Sequence, residues 1–242
     1  MPFNFHANQE FFMKRSEVNA IMREGIAFLA KKQFLLPPFA FWTPDDWRAK
    51  GSECREIVTS QLGWDITDFG SGDFMKIGLF LFTIRNGSSA DLANPATKTY
   101  AEKIMIVREG QVTPTHFHSQ KMEDIINRGG GNLVIRLWNA TAGDALDNTP
   151  VTVSMDGVRK TIPAGETLTL HPGDSVCLPQ RNYHSFWGEA GKGTVLVGEV
   201  SRVNDDRTDN RFHAPIGRFP QIQEDEQPLH LLCTDYAKYY TC

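Results

Sequence analysis

Gly110-Gln-Val-Thr-Pro-Thr-His116-Phe-His118-Ser-Gln-Lys-Met-Glu123-Asp-Ile-Ile-Asn-Arg-Gly-Gly130 is the stretch of this chain on which both fold and chemistry turn. On an extended backbone side chains alternate between two faces, so His116 and His118 point the same way and can reach a single ion. Glu123 lies far enough along to return after a turn as an oxygen donor. A mixed nitrogen and carboxylate set suits a divalent first-row metal. A fourth donor is available from the distant segment Pro179-Gln-Arg-Asn-Tyr-His184.

Outward from this stretch the chain reads as short strands broken by turn-forming residues. Candidate strands are 76–85, 103–108, 133–138, 151–155, 158–162, 167–170, 175–178 and 194–201, each rich in Val, Ile, Leu, Phe or Thr. Asp156-Gly157 between two alternating runs is a hairpin turn. Many short strands with Gly and Pro at the turns indicate a mainly β protein, a sandwich or closed barrel.

The beginning of the chain is different. Val18, Ile21, Met22 and Leu29 recur at helical spacing, so 16–32 is expected to be an amphipathic helix capped by Ser16. Leu35-Leu-Pro-Pro-Phe-Ala-Phe-Trp42 ends it, and Thr43-Pro-Asp-Asp reads as the cap of a second helix with Pro at its first position. A third helix is expected around 52–61. The organisation expected is an extension over 1–12, a helical part over 13–63 packed outside the barrel, and a barrel with its C-terminal segment over 64–242, all in one domain.

Composition narrows the function. The 242 residues carry 40% hydrophobic and 22% charged side chains and a net charge of −4, ordinary values for a globular chain able to bury a full core. No dense Lys/Arg block supplies a stripe for phosphates, so nucleic acid is not an expected partner. Cys54, Cys177, Cys233 and Cys242 form no Cys-x-x-Cys pair and read as reduced structural thiols. Met1 to Phe12 lacks a basic region followed by a long apolar run, and no stretch approaches a membrane span, so a cytoplasmic location is expected.

The stretch 110–130 resembles the first cupin motif, G-x5-H-x-H-x4-E-x6-G, at every fixed position. The second cupin motif, G-x5-P-x-G-x2-H-x3-N, is echoed by Gly173, Pro179 and His184, with Arg181 in place of a glycine and Gly188 in place of the asparagine. The resemblance implies a cupin-type jelly-roll barrel holding one divalent metal ion on His116, His118, Glu123 and His184. Glu123-Asp-Ile-Ile-Asn-Arg-Gly-Gly-Gly-Asn-Leu-Val134, together with Leu62-Gly-Trp-Asp-Ile-Thr-Asp-Phe-Gly70 and Val203-Asn-Asp-Asp-Arg-Thr-Asp-Asn-Arg-Phe212, is similar to the D-lyxose isomerase family. That likeness spans most of the chain from about Met13. It implies aldose–ketose isomerisation of a free monosaccharide, D-lyxose to D-xylulose and D-mannose to D-fructose, usually with Mn²⁺.

Such a reaction moves a proton between C2 and C1 and needs stabilisation of negative charge on O1 and O2. Two residues are expected to act catalytically. Lys103 shares parity with Met105 and Val107 in an apolar strand and so is expected to point inward. The acidic candidates are Glu199, Asp205, Asp206 and the run Glu224-Asp-Glu226, of which Glu224 is paired with Lys103. Asp205, Asp206 and Arg211, in a loop with Asn204 and Asn210, are expected to hydrogen-bond the sugar. His6, His171, His213 and His230 are left out of the metal set. A homodimer paired through sheet edges is expected. The four ligands alone also suit an iron or copper oxygenase, and a sugar-binding cupin without turnover remains open, whereas the lack of a glycine-rich phosphate loop argues against a phosphosugar.

Overall fold

The computed structural model describes residues 12–94 and 96–242. The extension expected over 1–12, with His6, lies outside the described residues except for Phe12. Helix α1 spans Arg15–Lys31, α2 Pro44–Arg48, α3 Arg55–Thr59 and α4 Tyr236–Tyr239. The strands are β1 (Phe12–Lys14), β2 (Gly63–Thr67), β3 (Leu79–Arg85), β4 (Tyr100–Val107), β5 (Thr113–His118), β6 (Glu123–Gly130), β7 (Leu133–Ala140) and β8 (Leu146–Asp147). They continue as β9 (Val151–Met155), β10 (Val158–Ile162), β11 (Thr167–Leu170), β12 (Ser175–Leu178), β13 (Asn182–Gly188), β14 (Val195–Arg202), β15 (Asn210–Phe212) and β16 (Gln221–Gln223).

Two curled sheets face each other. The larger has the order β10-β9-β12-β6-β14-β4-β3-β2, and the smaller runs β11-β7-β13-β5-β15 with β8 beside β7. Leu81, Met105 and Val197 of the first sheet and Leu133, Ile135 and Phe186 of the second belong to one apolar core between them. This is the cupin-type jelly roll.

Sequence pattern explains which strands are covered outside. Leu79 and Leu81 of β3 face the interior core, while Phe80 and Phe82 belong to a second cluster with Val18, Met22 and Leu29 of α1. A strand buried on both faces reads as a continuous apolar run, which is why 79–82 shows no polar alternation. Helix α1 thus packs outside the barrel, as expected. Thr43 caps α2 through a reciprocal bond with Asp46. The Asp156-Gly157 turn has φ of 49° and 84°, the paired positive values of a tight hairpin.

Two expectations are corrected. Ser16 does not cap α1: the cap position is Lys14, and the Ser16 hydroxyl donates to Asp225 at 2.7 Å. Glu224, expected to act catalytically, lies instead in an exposed acidic run, Glu224-Asp-Glu226, outside the barrel interior. The three carboxylates of the run hold Arg15, Ser16 and Asn19 at the start of α1. Arg15 is fully buried, its guanidinium bonded to Glu224 at 2.8 Å and to Asp235 at 2.9 Å. Substituting Arg15→Met should cost about 3–5 kcal/mol of unfolding free energy, because it strands the buried Asp235 without its cation. Urea unfolding measures this, and a loss below about 1 kcal/mol would show that water replaces the guanidinium there.

The two motif departures have physical reasons. Arg181 sits at φ 61°, the left-handed region that favours glycine. It is held there by donation to the Thr141 carbonyl at 2.6 Å and to Asp144 at 2.8 Å. Gly188 lies against the strand exit before Gly110, where an added Cβ would come within 2.7 Å of the Arg108 carbonyl oxygen.

Candidate metal centre and active-site cavity

One end of the barrel interior is polar. Inward parity on β5 sends His116 and His118 to the same side, and pairing of β13 with β5 sets His184 opposite His116. Glu123, the first residue of β6, faces them. One ring nitrogen from each of the three histidines lies within 4.8 Å of the other two. Glu123 Oε1 is 3.2 Å from His184 Nε2, and Oε2 is 3.4 Å from His118 Nε2.

Orientation is set from behind. Nδ1 of His116 lies 2.7 Å from the Pro114 carbonyl and Nδ1 of His184 lies 3.0 Å from that of Asn182. Each carbonyl accepts the Nδ1–H and leaves Nε2 as a lone-pair donor toward the centre. Burial, followed by the neighbouring histidines, pushes the His116 imidazolium well below its ordinary range, and burial pulls His184 down to about 4. Both rings are therefore neutral at pH 7, the form that ligates a metal. Burial alone would raise the Glu123 carboxyl, but Lys121 and then His118 hold it well below the usual range. Glu123 Oε1 is nonetheless buried without a hydrogen-bond donor. An acceptor in that state is costly, and three nitrogen donors converging beside it are the complement of a divalent cation. The residues present fit such an ion.

Beside the histidines lies a chain of charges. Lys121 Nζ is 2.8 Å from Glu123 Oε2 and 2.7 Å from Glu199 Oε1, and Lys103 Nζ is 3.3 Å from the same Glu199 oxygen. Lys103 and Glu199 are register partners on β4 and β14 and are 2% and 4% exposed. Burial pushes the Glu199 carboxyl up, and the ammonium groups of Lys103 and Lys121 outweigh it, so Glu199 stays ionised. Ionising side chains away from water costs several kcal/mol each. Such a cluster therefore points to chemistry more than to stability.

Arg218 and Asp206 line the cavity, 3.1 Å apart, and the same guanidinium also donates to Asp65. Asn210 joins them, while Phe69, Leu81, Met105, Phe186 and Phe212 form the apolar walls.

The profile of D-lyxose isomerase matches residues 13–236. The chain belongs to the D-lyxose isomerase family. The D-lyxose/D-mannose isomerase of Serratia proteamaculans is 53% identical over 94% of this chain and 99% of its own length. The enzyme of that name from Escherichia coli O157:H7 is 49% identical over 94% of this chain and 100% of its own. Among solved structures, the L-ribose isomerase of Acinetobacter sp. DL28 superposes with a TM-score of 0.60 at 16% identity, covering 90% of this chain and all of that one. The L-ribose isomerase of Cellulomonas parahominis gives 0.55 at 17%, covering 89% of this chain and all of that one. At such identities these likenesses speak for the barrel alone.

In this sugar isomerase the cavity gathers His116, His118, Glu123, His184, Lys103, Glu199, Asp206 and Asn210 from the residues singled out in sequence. It does not gather three others. Glu224 lies at the start of α1, its two oxygens taken by Arg15 and a second cation, Lys238. Asp205 turns its oxygens to Arg207 N and the Thr208 hydroxyl within its own loop. Arg211 points outward, since Asn210 and Phe212 flank it on β15 and face the barrel, and it donates to the carbonyls of Thr208 and Asn210. The sequence reading passed over Lys121 and Arg218. Lys121 had a signal, being two residues before Glu123 and so of the same parity. Arg218 had none, because only the fold brings it to Asp65 on β2.

Proposed function

We propose that this isomerase interconverts an aldose and its 2-ketose by proton transfer through a cis-enediol, acting on D-lyxose and D-mannose. His116, His118, Glu123 and His184 would hold one divalent ion, Mn²⁺, in the centre. The observation that carries this reading is the buried Glu123 oxygen without a donor, set among three histidine rings, two of them held with a lone pair toward the centre, beside an ionised Glu199. The names of the Serratia and Escherichia relatives supply the two sugars.

When bound, the ion supplies Lewis-acid stabilisation of the negative charge that develops on O1 and O2. Glu199 takes the proton from one carbon and returns it to the other, a role open to a buried carboxylate that the two lysines keep deprotonated. Lys121, between Glu123 and Glu199, presents an ammonium group that offsets charge on the substrate oxygens. Lys103 holds Glu199 from behind through the 3.3 Å contact. Asp206, Asn210 and Arg218 at the cavity wall offer acceptors and donors to the remaining hydroxyls.

Metal-stripped protein reloaded with Mn²⁺ and incubated without oxygen in D₂O with D-lyxose or D-mannose should form ketose carrying deuterium at C1, followed by NMR. Ketose without deuterium would point to a hydride shift or to a transferred proton kept from solvent. No ketose from either sugar would overturn the reading.

No helix among the described residues is long and apolar enough to cross a membrane. A cytoplasmic homodimer paired through a sheet edge completes the proposal, and light scattering in solution tests the pairing.

A further inference from the structure

Two of the three histidines have their Nδ1 bonded to a carbonyl two residues earlier, but His118 does not. Its Nδ1 is buried without a hydrogen-bond partner. The atom it faces is in the same condition. Asp209 Oδ2 lies 3.7 Å away, is also buried, and also lacks a partner. A donor and an acceptor, both deprived of water and each the nearest complement of the other, are about 0.5–1 Å from an ordinary N–H···O bond.

Asp209 is well placed to hold a direction. It is 4% exposed. Its Oδ1 accepts from the Ser119 hydroxyl at 2.9 Å and from Gln120 N at 2.6 Å, while its carbonyl accepts from Ser119 N at 3.1 Å. The carboxylate is thus clamped on the turn that follows His118, with one oxygen spent on the turn and the other left for the ring. Pairing of Asn210 with His118 between β15 and β5 keeps the two residues alongside each other.

We propose that Asp209 is a positioning residue for the metal centre: its Oδ2 accepts the Nδ1–H of His118, fixing the tautomer that turns the Nε2 lone pair toward the ion and raising that nitrogen's basicity. The proposal rests on the metal reading above and deepens it. Carboxylates in this outer position commonly change metal affinity by about 10–100-fold. The geometry also couples substrate wall and metal ligand, because Asp209 closes the loop that carries Asp206, donating its backbone N–H to the Asp205 carbonyl.

Asp209→Asn is a sharp test. The amide oxygen can keep the two bonds to Ser119 and Gln120, which leaves the NH₂ group facing His118 Nδ1. A donor there favours the opposite tautomer, with hydrogen on Nε2, which cannot ligate. The variant should bind Mn²⁺ about 10–100-fold more weakly by titration of free-ion EPR, with the unfolding midpoint of chelator-treated protein little changed. Histidine ¹⁵N spectra of the metal-free proteins should place the His118 hydrogen on Nδ1 in the native chain and on Nε2 in Asp209→Asn, His118 being assigned by its loss in His118→Gln. Native affinity in Asp209→Asn, or a native spectrum with Nδ1 of His118 unprotonated, would overturn the proposal. The spectrum of the native chain decides even where the variant fails to fold. A native chain that binds no Mn²⁺ would instead overturn the metal site itself.

Discussion

Replacing His184 by alanine should abolish isomerisation and weaken Mn²⁺ binding by more than about 100-fold, beyond what loss of an outer hydrogen bond does. The reason is geometric and electrostatic together. His184 is the ring that β13 contributes, opposite His116 across the β5 pairing, and no other side chain on that strand can reach the centre as a nitrogen donor. Its removal leaves Glu123 Oε1 with neither the imidazole at 3.2 Å nor a firmly held ion. Metal content by atomic absorption after gel filtration, with turnover on D-lyxose and D-mannose, checks this. Circular dichroism should show an intact barrel, because the interior core rests on apolar residues of both sheets and not on the ring. Full stoichiometric metal in the variant would remove His184 from the ligand set.

Glu199→Gln should lower kcat by about 10²–10⁴-fold while bound Mn²⁺ stays near one per chain, the range associated with loss of a general base. The glutamine keeps the shape and can still accept from Lys121 and Lys103, but it cannot take a proton from carbon. KM should move little, since Asp206, Asn210 and Arg218 still line the cavity. Exchange of substrate hydrogen with solvent should fall in step with kcat. A kcat within about threefold of the native value would make Glu199 a partner of the lysines only.

The errors of the sequence reading share a cause. Glu224 belongs to a run of three acidic residues, and a run invites explanation by its own charge, yet each carboxylate there answers a residue of α1 about 207–209 positions earlier. Asp205 and Asp206 are adjacent and chemically identical. Asp206 faces Arg218 and the cavity, whereas Asp205 is consumed within its turn. Nothing in composition or spacing separates them. Lys103, by contrast, was legible, because two inward apolar neighbours at even spacing fixed its face, and β4 does place it beside Glu199.

What the sequence determined by itself was everything carried by local period and spacing. The strand character, the helix expected over 16–32 and found at Arg15–Lys31, the tight Asp156-Gly157 turn and the common face of His116 and His118 all follow from alternation and backbone preference over a few residues. The resemblance to the cupin motifs added Glu123 and His184 as candidate ligands from other strands. Tertiary structure alone decided which charges meet. The Lys103–Glu199 pairing follows the register of β4 with β14, the Lys121 bridge depends on β6 lying beside β14, and Asp65–Arg218 and His118–Asp209 join segments 153 and 91 positions apart. Coulomb and hydrogen-bond energies depend on distances of a few ångströms, and such distances across strands are set by pairing and packing of the whole barrel rather than by any stretch of neighbouring residues.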